Sequence, residues 1–227
     1  MTLPAVDGYP LPTSAEMPAP RVAWTLRPER AVLLLHDLQE HFLDAYGERS
    51  ELRAQLLRTV RALRDACDRA GVPVVYTAQP AHQDPADRAL LSDFWGEGLG
   101  RRPHRAGLVP ELAPRERDTV LTKWRYSAFQ RCDLAGVLAS SGRDQLLVTG
   151  VYAGIGCQVT ACEAFMRDVQ PFLVGDAVAD FDRARHDGAL RWVADTCGVV
   201  VDAASAVRAL AGGDGTGTGA RTAEVLA

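Results

Sequence analysis

The stretch QLLVTGVYAGIGCQVTACEAFMRD, residues 145–168, joins an apolar segment to an amphipathic one through a glycine-rich bend. Its first part, QLLVTG, predicts a strand buried on both faces of a sheet, because three apolar residues follow one another. From residue 157 onwards, apolar side chains recur at helical spacing. A buried strand followed at once by a helix is the repeating unit of a parallel α/β sheet.

The same alternation recurs along the whole chain. Strands are predicted over residues 31–36, 72–78, 119–123, 145–150, 171–177 and 198–201, and helices over residues 51–70, 134–142, 157–168 and 184–196. The polar stretch 80–117 predicts loop and short helix. Six strands alternating with helices predict one doubly wound α/β domain, whose mostly parallel six-stranded sheet carries helices on both faces.

Proline and glycine content predicts the limits of that domain. Five prolines before residue 21 predict an extended N-terminal arm over residues 1–28. The α/β domain follows over residues 29–211. A Gly/Thr-rich composition predicts a flexible tail over residues 212–227.

Composition limits the partners and the compartment. The 227 residues carry a formal net charge of −4, which argues against nucleic acid or an anionic membrane as the main partner but allows a small anionic ligand. No apolar run approaches the roughly 18 residues of a membrane span, and no secretory signal is recognisable. Five cysteines without CxxC spacing predict reduced thiols in the cytoplasm, with neither a disulfide framework nor a zinc site.

Polar side chains stand at the carboxyl ends of four predicted strands. Asp37, Gln79, Lys123 and Tyr152 each follow an apolar run. Ligands of doubly wound sheets bind outside these ends, where the strand order reverses, so the four side chains predict a site at one rim. Taken singly, Asp37 is more often a cap of the next helical turn, and Lys123 is more often a solvated strand end, but their collection at one rim favours a site.

Several segments of the chain resemble the isochorismatase family. The resemblance lies in HDLQEHFLDAYGE, YTAQPAHQDPADRALLSDFWG, LTKWRYSAFQRCDL, GRDQLLVTGVYAGIGCQVTACEAFMRD and QPFLVGDAVADF, in order from about residue 3 to about residue 207. It is strongest to the isochorismatases of catecholate siderophore pathways and the related phenazine-pathway hydrolase. It implies an isochorismatase-like hydrolase that uses no metal or cofactor, acts on a small anionic substrate and forms a homodimer.

The implied reaction is the hydrolysis of the enolpyruvyl vinyl ether of isochorismate, which gives pyruvate and 2,3-dihydro-2,3-dihydroxybenzoate. A vinyl ether hydrolyses after protonation of its terminal carbon, so the enzyme needs a carboxylic acid that is protonated near neutral pH. The resemblance assigns that acid to Asp37. Lys123 would lower the pKa of Asp37, whereas the two carboxylates of bound substrate would raise it, so we expect Asp37 to become a competent acid only once substrate is bound.

The resemblance also implies the residues that bind substrate. They are Gln79, Arg88, Tyr152 and the amide of Gly156. Phe42, Trp95 and Phe129 are candidates for walls of the ring pocket, although large aromatic residues lie more often in the core. It implies a cis peptide between Val151 and Tyr152. The chain departs from the pattern of close relatives at Gly154, where a histidine is expected, and we expect this change to widen the pocket or loosen the loop.

Three alternatives remain at this point. The first is the same reaction on 2-amino-2-deoxyisochorismate, giving trans-2,3-dihydro-3-hydroxyanthranilate. The second is a cysteine amidohydrolase that uses Cys157. In the amide-hydrolysing branches of the superfamily the thiol stands where this chain has Gly156, and one residue further along a helix turns a side chain by about 100°, so Cys157 is predicted to point away from Asp37. The third is a non-catalytic member of a biosynthetic assembly.

Overall fold

A computed structural model describes residues 3–212 of the chain. Its sheet consists of six strands: β1 (Ala31–His36), β2 (Val74–Ala78), β3 (Thr119–Thr122), β4 (Gln145–Val151), β5 (Gln170–Ala179) and β6 (Val199–Val201). They lie in the order β3-β2-β1-β4-β5-β6, and all five pairings are parallel. The prediction of a six-stranded doubly wound sheet is therefore confirmed.

Eight α-helices accompany the strands in residues 3–212. They are α1 (Glu40–Leu43), α2 (Glu51–Arg69), α3 (Pro85–Arg88), α4 (Leu91–Trp95), α5 (Leu134–Ser140), α6 (Gln158–Met166), α7 (Arg183–Thr196) and α8 (Ala203–Leu210). A π-helical turn, Ala153–Cys157, connects β4 to α6. The sequence prediction missed α8, although Asp202 caps it by accepting a hydrogen bond from the backbone N–H of Ser205.

The apolar core lies on both faces of the sheet. Along β1, Leu33 and Leu35 belong to one buried cluster, and Val32 and Leu34 belong to the other. Helices α2 and α8 contribute to the first cluster, and helices α5, α6 and α7 contribute to the second. Because side chains alternate along a strand, a central strand with apolar residues at successive positions supplies both clusters at once.

Residues 3–30 contain one short 3-10 helix, Ser14–Glu16, and otherwise irregular backbone. This segment is tied to the domain by the Val6 N–H, which donates to the carbonyl of Ala45 at 2.8 Å. Tyr9 contributes a second tie, because its hydroxyl lies 3.0 Å from Nδ1 of His186. The boundaries of the predicted arm, 1–28, and domain, 29–211, stay predictions, and the predicted tail beyond Gly212 lies outside the described residues.

The strand order places the point of reversal between β1 and β4. From β1 the chain proceeds through β2 to β3 on one side, then returns to build β4, β5 and β6 on the other. The connections after β1 and β4 therefore leave the sheet in diverging directions and open a crevice at their carboxyl ends. Among residues 3–212, no helix combines the length and apolar character that crossing a membrane requires.

Candidate active site

A cavity opens at the carboxyl ends of β1, β2 and β4. The eight site residues predicted from the sequence all line it: Asp37, Phe42, Gln79, Arg88, Trp95, Lys123, Tyr152 and Gly156. Phe129, the further candidate for a wall, does not line it, and of its two interpretations the structure bears out the one that places it in the core. It packs in the core instead, with the guanidinium of Arg167 over its ring.

Asp37 is a buried acceptor at the end of β1. Its φ of 50° lies in the left-handed region, which Asp tolerates better than most residues. Oδ1 accepts a hydrogen bond from the Thr77 hydroxyl at 2.7 Å, and Oδ2 accepts one from Nζ of Lys123 at 2.8 Å. The capping interpretation is wrong, because Gln39 is the N-cap of α1.

Lys123 follows β3 and is buried, with a side chain that is 2% exposed. The interpretation as a solvated strand end is therefore wrong. Burial by itself raises the pKa of Asp37, but the Lys123 ammonium and the hydrogen bonds from Lys123 and Thr77 outweigh it. The pKa of Asp37 consequently lies below its ordinary value, and the two groups form an ion pair at neutral pH.

Gln79 lies next to this pair, with Nε2 3.5 Å from Oδ2 of Asp37. A residue that sequence reasoning missed, Gln39, fixes its backbone. The Gln39 side chain accepts from the N–H of Gln79 at 2.8 Å and donates to the carbonyl of Gln79 at 2.9 Å. The sequence shows a glutamine two residues after Asp37, but it does not show that this side chain is fully buried, so its role could not be predicted.

Arg88 lies in α3 and is buried at the cavity. Its Nε donates to the carbonyl of Gly96, and its Nη1 donates to Oε1 of Gln83 at 2.9 Å. The backbone of Gly98 lies directly against the guanidinium, since a Cβ built there would stand 2.6 Å from Nη2. Within the described residues, Nη2 makes no hydrogen bond, so it is available to a ligand.

Aromatic side chains form an apolar wall of the cavity. The ring of Tyr152 stacks on Phe181 with centroids 4.1 Å apart and meets Phe42 edge-on at 6.1 Å. The Tyr152 hydroxyl, predicted to face substrate, donates instead to the carbonyl of Phe42 at 2.8 Å. Trp95 donates from Nε1 to the hydroxyl of Tyr126 at 2.8 Å, which joins α4 to the loop after β3.

The comparisons with known proteins agree with this geometry. The family model described as the isochorismatase domain matches residues 31–205. The chain belongs to the isochorismatase family. A protein of Bacillus subtilis named isochorismatase is 51% identical over 201 residues, which are 88% of this chain and 64% of that protein. The chain thus spans less than two thirds of the length of this relative.

Two further relatives within the isochorismatase family differ in their named pathways. Enterobactin synthase component B of Escherichia coli is 49% identical, with 88% of this chain and 70% of that protein covered. The phenazine biosynthesis protein PhzD1 of Pseudomonas aeruginosa is 46% identical, with 88% and 95% covered. A cysteine hydrolase from Pseudomonas syringae shares the fold, with a TM-score of 0.78, 24% identity, and coverage of 86% of this chain and 99% of its own.

The position that carries a thiol in the amide-hydrolysing branches of the isochorismatase superfamily is closed to a side chain here. A Cβ at Gly156 would stand 2.1 Å from Cε1 of His36, whose ring is held between the carbonyls of Val151 and Tyr126. Burial lowers the pKa of His36 to about 4, so its imidazole is neutral. The peptide between Val151 and Tyr152 is cis, as the family resemblance implies.

Cys157 and Gly154 both lie outside the lining of the cavity. The Cys157 sulfur is buried 3.9 Å from the carbonyl of Thr149, and burial and the charge of Asp37 raise its pKa well above the ordinary value. The N–H of Gly154 donates to Oδ2 of Asp180 at 2.6 Å, which anchors the loop that we expected to be loosened. No group of three or more potential metal ligands occurs within residues 3–212.

Proposed function

We propose that the protein hydrolyses the enolpyruvyl vinyl ether of isochorismate to pyruvate and 2,3-dihydro-2,3-dihydroxybenzoate, with Asp37 as the general acid. One observation carries the proposal: a buried carboxyl group, paired with Lys123 at 2.8 Å, faces a cavity from which the thiol of Cys157 is turned away. The 51% identity to a protein named isochorismatase supports the choice of substrate.

The reaction requires one proton on carbon and one molecule of water. Asp37 donates its proton to the terminal methylene carbon of the enol ether, and the adjacent carbon becomes an oxocarbenium ion. Water adds to that ion and loses a proton, which gives a hemiketal. The hemiketal then breaks its bond to the ring oxygen, releasing pyruvate and the ring alcohol. The aspartate recovers a proton before the next turnover.

Substrate binding prepares the acid. In the free protein Asp37 is an ion held by Lys123 and Thr77. A carboxylate of the substrate beside Lys123 engages the ammonium and adds a negative field, and both effects raise the pKa of Asp37. The alkaline limb of kcat, which reports the complex, is therefore expected at higher pH than that of kcat/KM, which reports the free enzyme. Equal limbs would count against this step.

The other cavity residues bind and orient the substrate in this proposal. Nη2 of Arg88 makes no hydrogen bond within residues 3–212, and the planar guanidinium group of Arg88 suits a carboxylate. The amide of Gln79 is placed for a polar substituent near Asp37. Phe42 and Trp95 contribute apolar surface for the ring, and Gly156 lets the backbone approach it.

The amino analogue, 2-amino-2-deoxyisochorismate, is the second candidate substrate, with trans-2,3-dihydro-3-hydroxyanthranilate as product. The identity of 46% to the phenazine biosynthesis protein PhzD1, 95% of which is covered, favours it. The same vinyl ether is cleaved, so the same acid serves. Values of kcat/KM for the two compounds, measured side by side, decide between them.

We also propose that the protein works in the cytoplasm as a homodimer, without a nucleic acid or a membrane as partner. The net charge of −4 and the five free cysteines of the described residues support the compartment and the absence of polyanionic partners. Phe165 and Met166, exposed side by side at the end of α6, offer apolar surface to a second copy. Light scattering of the purified protein measures the number of subunits.

Release of pyruvate from isochorismate, coupled to lactate dehydrogenase, tests the function directly. We expect turnover by the wild type, none by Asp37→Asn, and near wild-type turnover by Cys157→Ala. Circular dichroism of each variant confirms that it is folded. Turnover that depends on Cys157 rather than Asp37 would refute Asp37 as the acid, and a folded wild type that releases no pyruvate from either substrate would refute the proposed function.

A further inference from the structure

Three histidines of the chain are buried, and one of them differs from the other two. His36 has both ring nitrogens beside backbone carbonyls, and His186 has its nitrogens beside the hydroxyl of Tyr9 and the carbonyl of Gly175. His41 is also buried, with 8% of its surface exposed, yet Nδ1 has no hydrogen-bond partner within the described residues. Buried polar atoms are nearly always paired, so His41 calls for an explanation.

His41 stands in α1 and lines the same cavity as Asp37 and Arg88. Burial and the positive charge of Arg102 lower its pKa to about 4, Arg88 acts in the same direction, and Asp44 opposes them. Asp44 is itself engaged, because it accepts a hydrogen bond from Arg102 at 2.8 Å. The imidazole is therefore neutral and carries a single N–H.

The surroundings decide which nitrogen holds that proton. Nδ1 is enclosed and has no acceptor among residues 3–212, and a buried N–H without an acceptor is rarer in proteins than a buried acceptor without a donor. The proton therefore belongs on Nε2. Nε2 has no hydrogen-bond partner among residues 3–212 either, but unlike Nδ1 it is not enclosed. Because His41 lines the cavity, we assign its accessible nitrogen, Nε2, to the side that faces the cavity. His41 thus presents a donor to the ligand.

We infer that His41 is a substrate-binding residue whose Nε2–H donates to a carboxylate oxygen of the substrate, at the end of the cavity occupied by Arg88. The inference rests on the proposed function, because it takes isochorismate as the ligand. A neutral donor suits this place, since the guanidinium of Arg88 already supplies the charge and a second hydrogen bond fixes the orientation of the carboxylate. A ligand that brings an ammonium group to this end meets Arg88 and a donor, and binds poorly.

Two substitutions separate the hydrogen bond from the shape of the side chain. His41→Leu removes the donor, and we expect KM for isochorismate to rise roughly 10- to 100-fold with kcat changed less than about threefold, as for loss of a hydrogen bond to a charged group. His41→Gln places an amide N–H near the position of Nε2 and is expected to restore KM to within about fivefold of wild type. His104→Leu, the same change at an exposed histidine that does not line the cavity, serves as the control.

Calorimetry with isochorismate in the Asp37→Asn background separates this inference from the proposed function, because no turnover is needed. We expect the dissociation constant to rise with His41→Leu, to recover with His41→Gln, and to stay unchanged with His104→Leu. This result would support the role of His41 even if the wild type released no pyruvate. Equal affinities for the Leu and Gln variants, a loss confined to kcat, or no binding of isochorismate by a folded protein would overturn it.

Discussion

Replacing Thr77 by Val removes one of the two strong hydrogen bonds to the carboxylate of Asp37 without changing the shape of the side chain. The Thr77 hydroxyl donates to Oδ1 at 2.7 Å, and both residues are buried, Thr77 at 0% exposure and Asp37 at 4%. A hydrogen bond to a charged group contributes about 1.5–3 kcal/mol. Since about 1.4 kcal/mol corresponds to one pH unit, the pKa of Asp37 is expected to rise by about one to two pH units.

The sign of this change determines the effect on activity. The proposed acid must be protonated, so activity falls as the pH rises through the pKa of Asp37, and a raised pKa moves that fall to higher pH. A weaker acid also transfers its proton more slowly, so the plateau of kcat is expected to decrease. Quenched reactions with chromatographic measurement of pyruvate, from about pH 5 to about pH 10, give both quantities without a coupling enzyme.

Thr149→Val is the matched control. Thr149 is equally buried, and its hydroxyl donates at 2.8 Å to the carbonyl of Leu34 rather than to a carboxylate. It is expected to cost about 0.5–1.5 kcal/mol of stability and to leave the alkaline limb of kcat in place. An unmoved limb in folded Thr77→Val, or an equal movement in both variants, would refute the assignment of the limb to Asp37.

Two further predictions concern the ion pair and Arg88. Asp37→Asn leaves the Lys123 ammonium buried without a counter-ion, and we expect it to lower the free energy of unfolding in urea by about 3–5 kcal/mol. The double variant Asp37→Asn, Lys123→Met is expected to regain most of that stability and to stay inactive. Equal stability of the single and double variants would contradict the pairing. Gly98→Ala places a Cβ 2.6 Å from Nη2 of Arg88 at a residue with a φ of +59°, so we expect it to displace the guanidinium and raise KM. Gly47→Ala is the control: Gly47 has a φ of +79°, but no atom lies within 4 Å of its Cβ position, so we expect a change in stability alone.

The fold could be predicted from the sequence because local signals and the sheet agree. The run AVLLLH matches β1 at both ends, since burial on both faces of the central strand requires apolar side chains at successive positions. Helix α8 was missed because the prediction passed over the cap at Asp202 and gave the segment no helical period. The irregular stretch between β2 and β3 has no single period, so its short helices were not predictable in detail.

Site residues could be predicted where a charged or polar side chain directly follows an apolar strand. They could not be predicted where tertiary contacts determine what the side chain does. Asp37 and Lys123 are far apart in sequence, yet both follow predicted strands, so the doubly wound topology places them at one edge. Thr77 and Gln39 act through contacts that only the folded chain creates. Phe129 could not be assigned to the site or to the core for the same reason, because a large aromatic residue near site motifs is equally suited to the core.

Under the proposed function, the resting ion pair of Asp37 and Lys123 gives a general acid that becomes competent when substrate binds. In the free protein Nζ of Lys123 donates to Oδ2 of the ionised Asp37 at 2.8 Å, so Asp37 has no proton to give. Arg88 leaves the cavity with positive charge beyond the balanced pair, which attracts a dianion. When a substrate carboxylate competes for the ammonium, Asp37 loses its counter-ion in a buried place where an unpaired charge is costly, and it takes up a proton. In the proposed mechanism, that proton comes from water, because the substrate carboxylates raise the pKa of Asp37, and the vinyl carbon then lies beside the protonated acid.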